Sequence, residues 1–186
     1  VFVDRDTPGL SFGPQELLMG FRGIPSADMT FEEVRVPRSH LLADAGEFGK
    51  LMQAFNLERC GNATMSLGLA AGALDQVVGY VQEREQFGKP IVDFQAVQLR
   101  LAEMTMKVEA ARLLVHRAAA VEPGAFPEAQ QAALAKCFAN EMVREVAGAG
   151  VQLMGGYGYA KDYGMEQRLR DAWGWGIAGG TVDIQK

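Results

Sequence analysis

Phe94-Gln95-Ala96-Val97-Gln98-Leu99-Arg100-Leu101-Ala102-Glu103-Met104-Thr105-Met106-Lys107-Val108-Glu109-Ala110-Ala111-Arg112-Leu113-Leu114-Val115 is the stretch that decides the fold. Phe94, Val97, Leu101, Met104, Val108, Ala111 and Val115 recur at steps of three and four, which is the apolar seam of a bundle helix. Asp93 is positioned to cap its start, and Glu103 and Lys107 form an i,i+4 pair on its outer face. Pro123-Gly124 closes it.

The same period extends in both directions. Leu134, Phe138, Met142, Val146, Ala149 and Leu153 form a second seam that ends at Gly155-Gly156. A first helix, from about 48 to 86, carries Phe48, Leu51, Phe55, Leu67, Leu74 and Val81, with Gly61, Gly68 and Gly72 among them. A glycine inside a helix costs about 1 kcal/mol against alanine, so these three predict close approach of another backbone or a ligand. A shorter helix over about 164–174 leads into a glycine-rich turn, where Thr181 can cap a last helix.

Residues 1–43 read differently. Val1-Phe2-Val3 reads as strand, Asp6-Thr7-Pro8-Gly9 as a turn with glycine at positive φ, and Met29 to Val36 as an imperfectly alternating strand stopped by Pro37. Two or three strands do not stand alone. The fold class is therefore mainly α: an antiparallel up-down helical bundle over 44–186, preceded by the tail of a β domain over 1–43. The first residue falls inside a strand and the last about one turn into a helix, so we expect a piece of a longer protein with its last helix truncated.

Composition narrows the function classes. A hydrophobic content of 48% with 22% charged residues fits a globular domain. The net charge of -5 argues against a nucleic-acid surface, though a few local arginines would still hold a phosphate-bearing cofactor. No apolar run approaches the roughly 20 residues of a membrane span, and no secretory signal opens the chain. Cys60 and Cys137 make neither a disulfide framework nor a metal spacing, which favours a reducing compartment. With only His40 and His116, a histidine-based metal site has little to build from.

A set of short motifs stands in order along nearly the whole chain. Asp6-Thr7-Pro8-Gly9 and Met19-Gly20 come first, then Phe31-Glu32-Glu33-Val34-Arg35-Val36-Pro37, Phe55-Asn56-Leu57-Glu58-Arg59 and Arg84-Glu85-Gln86-Phe87-Gly88-Lys89-Pro90-Ile91. Phe94-Gln95, Leu101-Ala102-Glu103-Met104, Gln152-Leu153-Met154-Gly155-Gly156-Tyr157-Gly158-Tyr159, Leu169-Arg170-Asp171-Ala172 and Ile177-Ala178-Gly179-Gly180-Thr181 follow. Together they resemble the acyl-CoA dehydrogenase family, from the end of its middle β domain through most of its C-terminal helical domain. The resemblance implies an FAD-dependent oxidation of an acyl-CoA thioester to the 2,3-enoyl-CoA, with electron-transferring flavoprotein as acceptor. Relatives within the family include enoyl-CoA reductases and desulfinases, and a non-catalytic helical assembly scaffold is the contrasting reading. Bacterial cytosol and mitochondrial matrix both suit the composition.

The resemblance also distributes roles. Most members carry the catalytic glutamate in the loop before the last helix, where this chain has Gly179. A minority, the isovaleryl- and long-chain-type enzymes, carry it where Glu58 stands and keep a small residue in the loop. Glu58 by itself reads more often as a surface glutamate paired within its helix; the resemblance and Gly179 reverse that and imply the α-proton base, with Phe55, Leu57 and Met52 as a dry setting. Asn56, Arg59 and Gly180 are implied along the acyl-CoA pocket, and Ala178, tyrosine in many relatives, widens the space beside the thioester.

Arg84, Gln86, Phe87, Phe94 and Gln95 match positions that reach the FAD of a neighbouring subunit, so a homotetramer or homodimer is implied. The same turn is also explained by helix-terminal chemistry alone. Gln152, Gly155 and Gly156 match contacts to the adenine end of FAD. The run Gly155-Gly156-Tyr157-Gly158 is not a Rossmann fingerprint, because it follows a helix. Thr181 and Asp183 match flavin-nucleotide contacts, and Trp173 and Trp175 read as packing residues.

Overall fold

The computed structural model describes residues 1–44 and 46–186. The expected change from β-like to helical chain, at 43/44, adjoins Ala45, which lies outside the described residues. Three long helices build the molecule: α1 (Phe48–Glu83), α2 (Gln95–Ala119) and α3 (Ala129–Met154). Their connections are short, so they run up, down and up as an antiparallel bundle. The short α4 (Gly156–Tyr159) turns the chain into α5 (Met165–Trp175), which lies against α1 and α3, and α6 (Val182–Gln185) follows a loop.

The most extensive pairing is α1 with α3, and alanines make it close. Ala63, Ala70 and Ala73 on α1 and Ala132, Ala135, Ala139 and Ala147 on α3 are all buried, with Val77, Val81, Val143 and Val146 filling the layers between. Burying a valine or methionine fully contributes about 1.5–3 kcal/mol. The α2 seam enters the bundle as its spacing predicts: Met104, Val108, Ala111 and Val115 are buried, with Phe94, Val97 and Leu101 half-buried toward the N-terminal end.

The α3 seam is rotated from the expected one. Met142 and Val146 are buried, but Leu134 and Phe138 are exposed, and the inward face is an alanine stripe that also carries Lys136 and Asn140. The exposed Phe48, Leu51 and Phe55 likewise leave the start of α1 without an apolar inner face. Nothing lies over Gly61 or Gly68, and only Gly72 meets a neighbour, the Arg168 guanidinium of α5.

Other local expectations are corrected. α1 ends at Glu83, and Glu85–Gln86 (β3) pairs antiparallel with Lys89–Pro90 (β4) as a tight hairpin. Its turn holds Phe87 and Gly88 at positive φ. Asp93 does not cap α2, since the residue before the helix is Phe94 and no side chain caps it. Lys107 pairs with Glu145 of α3 rather than with Glu103, whose nearest cation is Arg100 at 3.8 Å. Packing α2 on α3 brings Glu145 closer than a helix neighbour. α2 stops at Ala119, before the Pro123-Gly124 turn.

In the N-terminal segment, Leu10–Phe12 (β1) pairs antiparallel with Met29–Phe31 (β2), Ser11 opposite Thr30. β2 stops at Phe31, short of Val36, because Glu33 takes a positive φ of 52° that breaks the pleat. Val1 to Val3 form no strand; the Phe2 amide instead donates to the His40 carbonyl at 2.8 Å. The turn at Gly9 is as expected, with φ +89°. This segment is tied to α5. Asp171 accepts from the Phe21 amide at 2.7 Å, Arg170 donates to the Met19 carbonyl at 2.8 Å, and the Phe21 ring meets Trp175 edge-on at 4.5 Å. Among the described residues no helix is long and apolar enough to cross a membrane, and no acidic, cysteine or histidine cluster is built to hold a metal ion.

Candidate active site

Gly176 to Thr181 form the loop between α5 and α6, and three elements hold it. From α1, the Asn62 amide donates to the carbonyls of Trp175 and Ala178 at 3.3 and 3.4 Å. From α3, the ammonium of Lys136 donates to three successive carbonyls: Ala178 at 2.7 Å, Gly179 at 2.6 Å and Gly180 at 2.8 Å. At its far end the Val182 amide returns to the Gly176 carbonyl, and the Thr181 hydroxyl accepts from the Ile184 amide at 3.3 Å, capping α6 as expected. Gly179 and Gly180 take positive φ values of 64° and 87°, a region that costs an L-residue about 1–2 kcal/mol. Among the described residues the amides of Gly179, Gly180 and Thr181 donate to no protein group.

Glu58 reaches this loop from the third turn of α1. A Cβ built on Gly179 would lie 2.6 Å from each of its carboxylate oxygens, so the carboxylate fills the space where a side chain at 179 would begin. The two places where the sequence allowed a catalytic carboxylate are thus one place. Glu58 is itself exposed, and so are Phe55 and Leu57, so the expected dry setting is not supplied by those neighbours within this chain.

Asn56 and Arg59 stand beside it. Asn56 is buried; its amide donates to the Pro127 carbonyl at 3.0 Å and accepts from the Arg59 guanidinium at 2.7 Å. Arg59 keeps a buried Nε with no protein partner. Asp183 is exposed on α6. Glu58, Asn56, Arg59, Gly180, Thr181 and Asp183 therefore share one end of the bundle.

The remaining expected residues gather at the other end. Arg84 caps α1 and lies over the Tyr157 ring at 5.6 Å. It shares a cleft of about 630 Å³ with Gln86, Gly155 and Gly156, walled by Tyr80, Tyr157 and Tyr163. A second cleft of about 440 Å³ joins Gln86 to Phe87, Phe94 and Gln152. Phe87 is 92% exposed, and its ring meets Phe94 edge-on at 6.1 Å. Nothing lies within 4 Å of a Cβ placed on Gly155 or Gly156, so bare backbone faces the first cleft. Gln95 is exposed at the start of α2 and lines neither cleft. Guanidinium, amide, aromatic and open backbone groups are a donor set that suits a dinucleotide.

Lys136 and Asn62 were not anticipated from the sequence. The signal was present for Lys136: a lysine in the middle of an alanine stripe at helical spacing. It is wholly buried. Burial pushes its ammonium below the usual lysine range, while Glu58 pulls the other way and Arg59 adds to the depression. Burial likewise raises the Cys60 and Cys137 thiols. Trp173 and Trp175 are packing residues as expected, the first beneath the Arg144 guanidinium at 4.4 Å.

Residues 48–186 match the profile of the acyl-CoA dehydrogenase, C-terminal domain. The chain is 42% identical over 187 residues to acryloyl-CoA reductase (NADH) of Anaerotignum propionicum, covering 100% of this chain and 48% of that protein. It is 39% identical over 185 residues to the caffeyl-CoA reductase-Etf complex subunit CarC of Acetobacterium woodii, covering 99% and 49%. Among solved structures, butyryl-CoA dehydrogenase from Megasphaera elsdenii superposes with a TM-score of 0.93 at 36% identity, over 98% of this chain and 48% of that one. The chain spans about half the length of the curated relatives it matches.

Proposed function

The chain belongs to the acyl-CoA dehydrogenase family, and we propose that it carries the proton-abstracting side of a flavin-dependent acyl-CoA oxidoreductase, with Glu58 as the base. The placement of the Glu58 carboxylate over Gly179 is the observation that carries this reading. It sets a carboxylate beside the position from which the family's loop glutamate would otherwise project.

In this reading the acyl thioester lies between Glu58 and the loop amides. Glu58 takes the α proton and becomes neutral. The free amides of Gly179 to Thr181 are donors for the thioester carbonyl, whose oxygen gains charge as the α proton leaves. Arg59, held by Asn56, offers its guanidinium to the polar part of the coenzyme. When bound, FAD would supply the two-electron oxidant for the hydride at the β carbon, and with the proton taken by Glu58 the thioester would become the 2,3-enoyl-CoA. An electron-transferring flavoprotein is the proposed acceptor of those electrons.

The distance between the two residue groups bears on assembly. From Glu58 to Glu83 the helix runs 25 residues, about 38 Å at 1.5 Å per residue. That is farther than one extended dinucleotide reaches, so Arg84, Gln86, Phe87, Phe94, Gln95, Gln152, Gly155 and Gly156 would serve the FAD of a second subunit, while Thr181 and Asp183 serve that of their own. A homodimer or homotetramer follows. Residues 1–43 are proposed as the end of the middle β domain and 44–186 as the helical domain.

A second reading keeps the site and reverses the reaction, because the two relatives named above are reductases. Glu58 would then return a proton to the α carbon. Anaerobic mixing of the FAD-loaded protein with straight, branched and cyclic acyl-CoA thioesters separates the readings. Rapid bleaching of the flavin band by one acyl class supports the dehydrogenase. No bleaching, with reoxidation of reduced flavin by an enoyl-CoA, supports the reductase. Purification of the protein without flavin, and failure to take it up, would favour the scaffold.

A further inference from the structure

A buried lysine with no carboxylate partner is costly, because removing an ammonium from water is repaid only by good hydrogen bonds or by a counter-ion. Lys136 is fully buried on α3, and no carboxylate lies within ion-pair distance of it among the described residues. All three of its protons go instead to the carbonyls of Ala178, Gly179 and Gly180, the full donor capacity of an ammonium. A leucine or methionine of the same volume would fill the site without that cost. The charged and titratable groups that face it are Glu58 and Arg59 from α1 and Cys137 on its own helix; the loop contributes carbonyl dipoles.

We propose that Lys136 is the positioning residue of the active site: it pins the loop that faces Glu58. Three consecutive carbonyls drawn to one point fix three consecutive peptide planes. The amides of Gly179, Gly180 and Thr181 are then left for a ligand, with no protein group competing for them. Gly179 links the two residues. Its carbonyl is held by Lys136 at 2.6 Å, and its Cα lies under the Glu58 carboxylate. Lys136 therefore acts through the loop that faces Glu58 without touching substrate. This role rests on the reading of Glu58 as the base.

The test uses the FAD-loaded protein that carries this chain, with Lys136→Met and Glu58→Gln variants in parallel and the acyl-CoA that bleaches the parent fastest. The expected result for Lys136→Met is retained FAD, a KM close to the parent's and a bleaching rate lower by about 10- to 100-fold. A parental bleaching rate would overturn the proposal while leaving Glu58 as base. Parental bleaching in Glu58→Gln would instead remove the base, and the proposal with it. If Lys136→Met does not hold FAD, Lys136→Ala with added ethylammonium decides. Recovery of bleaching by ethylammonium, but not by tetramethylammonium at the same ionic strength, supports N–H donation to the loop carbonyls as the positioning contact; equal recovery or none overturns it.

Discussion

The carboxylate of Glu58 occupies the space that a side chain on Gly179 would need, although four helices separate the two residues in chain order. The Glu58 carboxylate on the helix and the bare glycine in the loop are one arrangement, because a side chain at 179 would displace the carboxylate. A Gly179→Ala change adds a Cβ 2.6 Å from both oxygens at a backbone φ of 64°. It should destabilise the fold by about 1–2 kcal/mol from backbone strain alone. It should also displace Glu58, lowering single-turnover flavin reduction more than it lowers FAD content. Denaturant unfolding and stopped-flow bleaching measure the two separately.

Asn56 is a tether as well as a neighbour of the base. It joins α1 to the Pro127 carbonyl and orients Arg59. Asn56→Ala leaves a buried carbonyl and a guanidinium without their partners, which should cost about 1–3 kcal/mol in denaturant unfolding. A raised KM for acyl-CoA should accompany it, with the maximal bleaching rate less affected.

The Glu166–Arg170 pair predicts a pH dependence. Arg170 donates to both Glu166 oxygens, at 2.6 and 3.1 Å, and this holds the Glu166 carboxyl below its ordinary range. Because the folded value is depressed, the stabilisation is fully present above the ordinary carboxylate range and is lost as pH falls through the folded value. Arg170 also holds the Met19 carbonyl, so acid should loosen residues 19–21 from α5. Trp175, in contact with Phe21, reports this by fluorescence. The acid transition should flatten in Glu166→Gln.

The Phe21 ring lies directly over Gly174, where a Cβ would come within 2.2 Å of it. A ring has no room to retreat between Gly174 and Trp175. Gly174→Ala should therefore cost about 1–3 kcal/mol as overpacking and shift Trp175 emission toward that of a wetter indole. Unchanged emission would show that Phe21 does not pack there in solution.

These residues also show what the sequence made legible. The α2 seam was readable because large apolar side chains mark its inner face, and the pairing of Glu58 with Gly179 came from the family resemblance and is met in space by the carboxylate over the loop glycine. The inner face of α3 was not, because alanines do the packing there. Periodicity that favours large residues selects Leu134 and Phe138, which point outward. Lys136 was missed for a related reason: a charged residue reads as surface until three backbone carbonyls, 42 to 44 residues later in the chain, are seen to meet it. The strand expected over 29–36 ended early because Glu33 adopts a conformation that alternation cannot announce.

The central claim is that Glu58 abstracts the α proton, and single-turnover reduction of Glu58→Gln tests it most directly. The variant keeps the size of the side chain and removes only its capacity to take a proton. With FAD bound to the same level as in the parent, anaerobic mixing with the preferred acyl-CoA should leave the flavin band unbleached on the timescale of the parent's reaction. Bleaching at the parental rate would contradict the claim and place the base elsewhere.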